Sequence, residues 1–261
     1  WSDAYKKSPD KTRVQQNLGL SLIQEAKYRR AMRMFDKVIA SKPDHYNARF
    51  NRGNIRLRFQ DYRGALEDLK IFVEKYPKTM QAYQGIGKAY MELDDFDRAI
   101  TNYNEMIRLD PDNALAYYER GRAQLMKKHY EAAIGDFQKA KKLNPTNAAI
   151  DNIMGQTYTY LDEDDQAIVA FTEAVERAPD YAMAYFNRGY VYAGQQRLQE
   201  ALSDFNRALQ INPNLYKVYK ARGLVLYWSG EYEKAWDDLM KARQAGIQVP
   251  EDLLRELQSK L

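Results

Sequence analysis

Four arginines, Arg52, Arg120, Arg188 and Arg222, each stand immediately before a glycine, and each is followed sixteen residues later by an aspartate: Asp68, Asp136, Asp204 and Asp238. A guanidinium is a planar fork of donors that matches a carboxylate or a phosphate in two parallel bonds. Such a row could read an anionic ligand, or each arginine could be neutralised within the chain by its own aspartate. Co-occurrence favours the second reading. Where the residue before the corresponding glycine is apolar (Leu18, Ile86, Met154), the aspartate is absent too, replaced by Met34, Asn102 and Ala170. Arginine and aspartate come and go together, which predicts four structural ion pairs between facing helices.

Other residue types with chemical potential form no reactive constellation. His45 follows a turn proline and His129 falls between two helical stretches, so both read as solvated turn residues. The run Asp162, Glu163, Asp164, Asp165 lacks the alternating ligands and glycine of a calcium loop. There is no cysteine, hence no thiolate nucleophile or thiolate metal site, and compartment is left open between cytoplasmic and periplasmic or lumenal. The glycines are spaced rather than clustered, so no phosphate loop is present. Lys+Arg 40 against Asp+Glu 36 is a near balance and does not imply nucleic acid. The expectation is a chain that is not an enzyme, with no cofactor, no metal and no membrane-inserting segment of its own.

Positioning these residues are three combs with one period. Glycines recur at Gly19, Gly53, Gly87, Gly121, Gly155, Gly189 and Gly223, always 34 apart; prolines from Pro9 to Pro213 lie ten before each, and alanines from Ala31 to Ala235 twelve after. Proline ends one helix and opens the next, as in Lys42-Pro43-Asp44 and Asn144-Pro145-Thr146-Asn147. Glycine inside a helix costs about 1 kcal/mol relative to alanine, so its recurrence marks a place where two helices approach closely. Apolar residues between the combs have helical periodicity, as in Ala31, Met34, Phe35, Val38 and Ile39. Each period is therefore read as two antiparallel helices.

These combs, with aromatics four before the glycine (Tyr83, Tyr117, Tyr185, Tyr219), three after it (Tyr90, Tyr158, Tyr192) and sixteen after it (Phe35, Tyr103, Phe137, Phe171, Phe205), make the chain similar to the tetratricopeptide repeat (TPR) family. Departures fall in the second repeat, with Arg49, Arg52 and Arg56, and in the fifth, with Asp151. The resemblance implies an all-α, right-handed superhelical α-solenoid of helix-turn-helix repeats. Its expected division is a single array: 1–11 the end of a preceding repeat, then 12–45, 46–79, 80–113, 114–147, 148–181, 182–215 and 216–249, and a C-terminal capping helix at 250–261.

In this family the first helices line a concave groove, so the resemblance implies a scaffold that holds an extended peptide or partner segment there. The positions that would face it include Asn17, Phe50, Asn51, Asn54, Lys88, Tyr118, Arg122, Gln156, Phe186, Asn187, Tyr190 and Tyr227. Amides pair with a peptide backbone and aromatics supply anchor area. Asn17, Asn51 and Asn187 resemble part of an asparagine ladder, interrupted by Gly85, Glu119, Ile153 and Ala221. A clamp for a terminal carboxylate is not expected, since its positions hold Phe50 with Asn54, Gly85, and Leu115 with Glu119.

At the ends, Trp1 and Ala4 have the offsets from Pro9 that Phe35 and Val38 have from Pro43, so the chain is read as opening inside an earlier repeat. Trp1 to Pro9, with Arg13 and Asn17-Leu18-Gly19, also resembles the opening of the repeat tail of certain membrane glycosyltransferase-like proteins. That suggests, as an alternative, a recruiting region of a larger enzyme. Pro250 is placed at a first helical position, with Leu253, Leu254, Leu257 and Leu261 on one face of a last helix that either caps the array or docks another chain. Self-association through the first helix is a third possibility.

Overall fold

The computed structural model describes residues 11–261; Trp1, Ala4 and Pro9, and with them the end of an earlier repeat and most of the tail resemblance, lie outside the described residues. The described residues form fifteen α-helices and no strand. They divide into two units, one ending at Lys128 and the other running from His129 to Leu261. The first holds α1 (Lys11–Gln24), α2 (Tyr28–Ser41), α3 (Tyr46–Arg58), α4 (Tyr62–Lys75), α5 (Met80–Glu92), α6 (Phe96–Leu109) and α7 (Ala114–Met126). The second holds α8 (Tyr130–Leu143), α9 (Ala148–Tyr160), α10 (Asp164–Arg177), α11 (Ala182–Gly194), α12 (Leu198–Ile211), α13 (Tyr216–Trp228), α14 (Tyr232–Gln244) and α15 (Glu251–Gln258).

Two kinds of stop signal alternate. Before each turn proline the residue is pushed out of the helical region, so Lys42 closes α2 at φ −138°, ψ 88° and Asn144 closes α8 at φ −135°, ψ 78°. Three of the six helices that follow are capped by a side chain: Asn113 accepts from the Ala116 N–H at 3.0 Å and Asn147 from that of Ala149 at 3.1 Å. His45 does the same through Nδ1, at 3.2 Å from the Ala48 N–H, so this ring caps α3 and is not simply a solvated turn residue.

Between the two helices of a repeat the stop is a left-handed residue. Ala26, Gln60, Asp94, Lys128, Asp162 and Gln196 have φ between +56° and +62°, and Gly230 has +78°, a further series at the same 34-residue spacing. The next residue returns its N–H to the carbonyl five positions earlier, Lys27 to Leu22 at 2.7 Å and Arg197 to Tyr192 at 2.9 Å.

Four of the repeat glycines, Gly19, Gly87, Gly155 and Gly189, seat rings, while Gly53 and Gly223 seat Leu69 and Leu239. A Cβ on Gly87 would lie 2.5 Å from Cε1 of Tyr103, and one on Gly155 would lie 2.6 Å from Cε1 of Phe171. Both rings are almost fully buried. The helix pair closes until the ring on the second helix rests on the bare backbone of the first.

Beside this apolar contact lie the ion pairs. Arg188 donates from Nε and Nη2 to the two oxygens of Asp204, both at 2.8 Å, and Arg222 donates to Asp238 at 2.6 and 2.9 Å. Arg52 grips Asp68 likewise, twice at 2.8 Å. Hydrogen bonding to Asp204 and to Asp238 holds the Arg188 and Arg222 guanidiniums above their ordinary pKa. Arg120 and Asp136 belong one to each unit, and within its own unit Arg120 donates from Nη1 to Asn104 at 2.7 Å.

That last bond has counterparts. The Nη1 of Arg52 reaches Asp36 at 2.8 Å, that of Arg188 reaches Thr172 at 3.0 Å and that of Arg222 reaches Asn206 at 2.6 Å. Each acceptor lies sixteen residues before its arginine, on the second helix of the preceding repeat. One guanidinium therefore ties its first helix to two second helices, its own and its predecessor's.

The two departures from the repeat pattern are also explained by carboxylates. Asp68, fully buried, receives Arg49 at 3.3 Å and Arg56 at 3.0 Å in addition to Arg52. Asp151, also fully buried, lies 2.9 Å from Lys141 Nζ and pairs with Arg177, joining α8, α9 and α10. A buried carboxylate is tolerated only with cations supplied around it, and here several replace the usual aromatic.

The C-terminal end differs from the sequence expectation in detail. Gly246, at φ +82°, terminates α14. Pro250 precedes α15 and is not its first residue, because it sits at ψ 129°, outside the helical region. Leu254 and Leu257 are buried in a core shared with Val225 and Leu239, but α15 ends at Gln258 and leaves Leu261 exposed, off that face.

Candidate functional site

In the first unit the sequence-nominated groove residues are largely engaged by their own surroundings. Phe50 packs its ring against Phe72, centroids 4.7 Å apart. Asn51 and Asn54 each donate one amide N–H to the carbonyls of Asn47 and Phe50, at 2.8 and 3.0 Å, which folds both amides back one turn along α3. Arg122 pairs with Glu119 at 2.8 Å and stands 6.0 Å over the Tyr118 ring. Asn17 and Lys88 are exposed on α1 and α5.

In the second unit four nominated residues meet at one place. Gln156 on α9 and Phe186, Asn187 and Tyr190 on α11 line a cavity of about 260 Å³ together with Thr159, Tyr160, Val191 and, on α10, Phe171. Asn187 is fixed by donating from Nδ2 to Asn152 Oδ1 across to α9, at 2.9 Å. Phe186 leans on Phe205 of α12, centroids 6.0 Å apart. Tyr190 is held less: its ring is 6.3 Å from that of Phe186 and 62% exposed.

A second cavity, of about 200 Å³, opens on the other side of Tyr190, between α11 and α13 with Phe205 of α12 in its lining. It is the first cavity displaced by one repeat. Adding 34 to Gln156, Thr159, Tyr160, Phe171, Asn187, Tyr190 and Val191 gives Tyr190, Ala193, Gly194, Phe205, Ala221, Leu224 and Val225, seven of its eight lining residues. The eighth is Trp228, 58% exposed, as Tyr160 is 62% exposed at the first cavity. Neither lining contains a charged residue.

Tyr160 and Trp228 were not among the sequence candidates. Both stand five residues after their glycine, at the ends of α9 and α13, with Gly194 between them in the series. An aromatic at a helix end, off the buried stripe, is the signal that could have found them. Tyr227 has a different fate: its hydroxyl bonds Glu256 and accepts from Lys260 at 3.1 Å, both in the C-terminal segment, and Lys260 lies 4.8 Å from its ring centroid.

Helix pairs repeated every 34 residues, with a ring or a leucine of the second helix seated on the glycine of the first, define an all-α repeat protein of the solenoid class. Tetratricopeptide repeat models match residues 17–79, 85–148, 152–181 and 182–215. The chain belongs to the tetratricopeptide repeat family, a fold of protein-interaction scaffolds. No curated protein sequence matches it. Among solved structures it is similar to MamA, with 29% identity over 63% of this chain and 96% of that one, TM-score 0.59. It is also similar to YrrB, described as a TPR protein with an unusual peptide-binding site, with 25% identity over 68% of this chain and 91% of that one, TM-score 0.55. A tetratricopeptide repeat protein from Parabacteroides merdae shares the fold over 96% of this chain and 98% of its own, with TM-score 0.73 and 18% identity. No described helix is long and apolar enough to cross a membrane.

Proposed function

We propose that this protein is an interaction scaffold that holds an extended segment of a protein partner along the first helices of its second unit, in the paired cavities on either side of Tyr190. The observation that carries this reading is the repetition: one aromatic-walled cavity occurs twice, displaced by one repeat, with Tyr190 as the common wall. Concave, mostly apolar sites with a few fixed polar groups are where ligands bind, and exposed aromatics are the residues that carry interface energy. Asn187, already oriented by Asn152, keeps an amide oxygen in the first cavity's wall. The description of YrrB as a peptide-binding TPR protein supports the same class of ligand.

The test is a selection of displayed random peptides on the 261-residue chain, followed by titration of the winners against a variant carrying Phe186→Ala and Tyr190→Ala. Peptides bound through these cavities should weaken by about tenfold or more, the loss of one good anchor. Winners that bind the variant as tightly as the parent would overturn the reading.

A further inference from the structure

Resting on that reading, we infer that the segment held across Tyr190 is a left-handed polyproline-type stretch with an apolar residue, proline foremost, at every third position. α11 packs against both α9 and α13. Packed helices stand about 8–10 Å apart, so the two cavities, one on each side of α11, repeat at about that distance. Few peptide conformations place equivalent side chains at this interval. In an extended strand, side chains on one face recur every second residue, at about 6.6–6.8 Å, and then at twice that. In an α-helix the same-face neighbours three or four residues apart are only about 5–6 Å apart. A polyproline helix turns once in three residues and rises about 3.1 Å per residue, which presents one residue type on one face about every 9 Å. An α-helix with anchors seven apart comes near the same distance, about 10.5 Å. It would, however, offer no backbone groups to Asn187 and Gln156, whereas the polyproline backbone is unpaired, leaving the N–H groups of its non-proline residues for the Asn187 amide oxygen and its carbonyls for the Gln156 amide N–H.

The walls fit the same ligand. Tyr160, Tyr190 and Trp228 stand in sequence at about 60% exposure and form the sides of two slots, the kind of aromatic-lined groove in which proline rings dock at low entropic cost. Charge agrees as well. Both linings are uncharged, so the anchoring residues are uncharged, while Lys220, one turn before Leu224 on the same face of α13 and the repeat counterpart of Phe186, calls for an acidic residue next to the second anchor.

The test uses three labelled peptides of about twelve residues, each ending in aspartate, titrated into the whole chain by fluorescence anisotropy. One has proline at every third position, one has proline at every second position, and one is a stapled helix with leucines seven apart. The proline-every-third peptide should bind about tenfold or more tightly than either of the others and lose about tenfold with Tyr190→Ala. Tyr190 is mostly exposed, so the variant should keep the parent circular dichroism and melting curve. Equal binding of the two proline spacings, or Tyr190-dependent binding of the helix alone, would overturn the polyproline register while leaving a peptide site at Tyr190. Loss of Tyr190 dependence for every peptide would overturn both.

Discussion

Arg188 grips Asp204 with two parallel hydrogen bonds of 2.8 Å and spends its remaining nitrogen, at 3.0 Å, on Thr172 of the repeat before. The pair is therefore a joint within a repeat and a tie between repeats, and its parts are not exchangeable.

Replacing Asp204 with alanine removes one end of this joint and leaves the guanidinium half-buried without its counter-ion. Breaking a buried pair costs about 3–5 kcal/mol, whereas removing both charges is far cheaper. The chain already contains the apolar version, with Met154 and Ala170 at the corresponding positions of the fifth repeat. Asp204→Ala alone should lower the urea midpoint strongly, and the double change Arg188→Met with Asp204→Ala should restore much of the loss. A double variant no more stable than the single one would refute this account.

Gly155→Ala puts a methyl 2.6 Å from the Phe171 ring, so the buried ring must shift, and overpacking of this kind costs about 1–3 kcal/mol. Phe171 also lines the first cavity, so peptide affinity should fall with stability. Gly135 on α8 supplies the control. Nothing lies within 4 Å of a Cβ there, and Gly135→Ala should be neutral or stabilising by up to about 1 kcal/mol. Thermal melts of both variants distinguish a packing glycine from an incidental one.

Glu173 provides an acid-sensitive element. Burial pushes its carboxyl up, but hydrogen bonding to Lys141, helped by the charges of Lys141 and Arg177, outweighs that and holds it below its ordinary value of 4.5. A carboxyl with a lowered folded pKa contributes stability that is present above 4.5 and is lost as pH falls through the folded value. Glu173→Gln should therefore lower stability at neutral pH and flatten the decline measured below about pH 4.5. Parallel acid limbs for parent and variant would show that Glu173 does not act this way.

How far the sequence revealed this molecule depends on which atoms enforce each feature. Where a side chain's size or charge is the cause, one residue type recurs and is visible: glycine under Tyr103 and Phe171, arginine facing aspartate. Where the backbone is the cause, the residue type varies and the pattern disappears. The left-handed turn is occupied by alanine, glutamine, aspartate and lysine alike, because its hydrogen bonds fix φ whatever the side chain. The arginine's third contact was hidden for a related reason, since Asp36, Asn104, Thr172 and Asn206 share only an accepting oxygen. In the candidate site, Phe186, Asn187 and Tyr190 were legible from repeat position. Tyr160 and Trp228 were not, because helix ends lie outside the periodic stripe.

Tyr190 is one ring closing two cavities. A segment seated in both slots, as proposed, would touch this one ring from two sides, so its two anchors would share a wall and would not be separable by changes at Tyr190. Discrimination by such a pair of slots would rest on the interval between a ligand's anchors more than on the chemistry of either one.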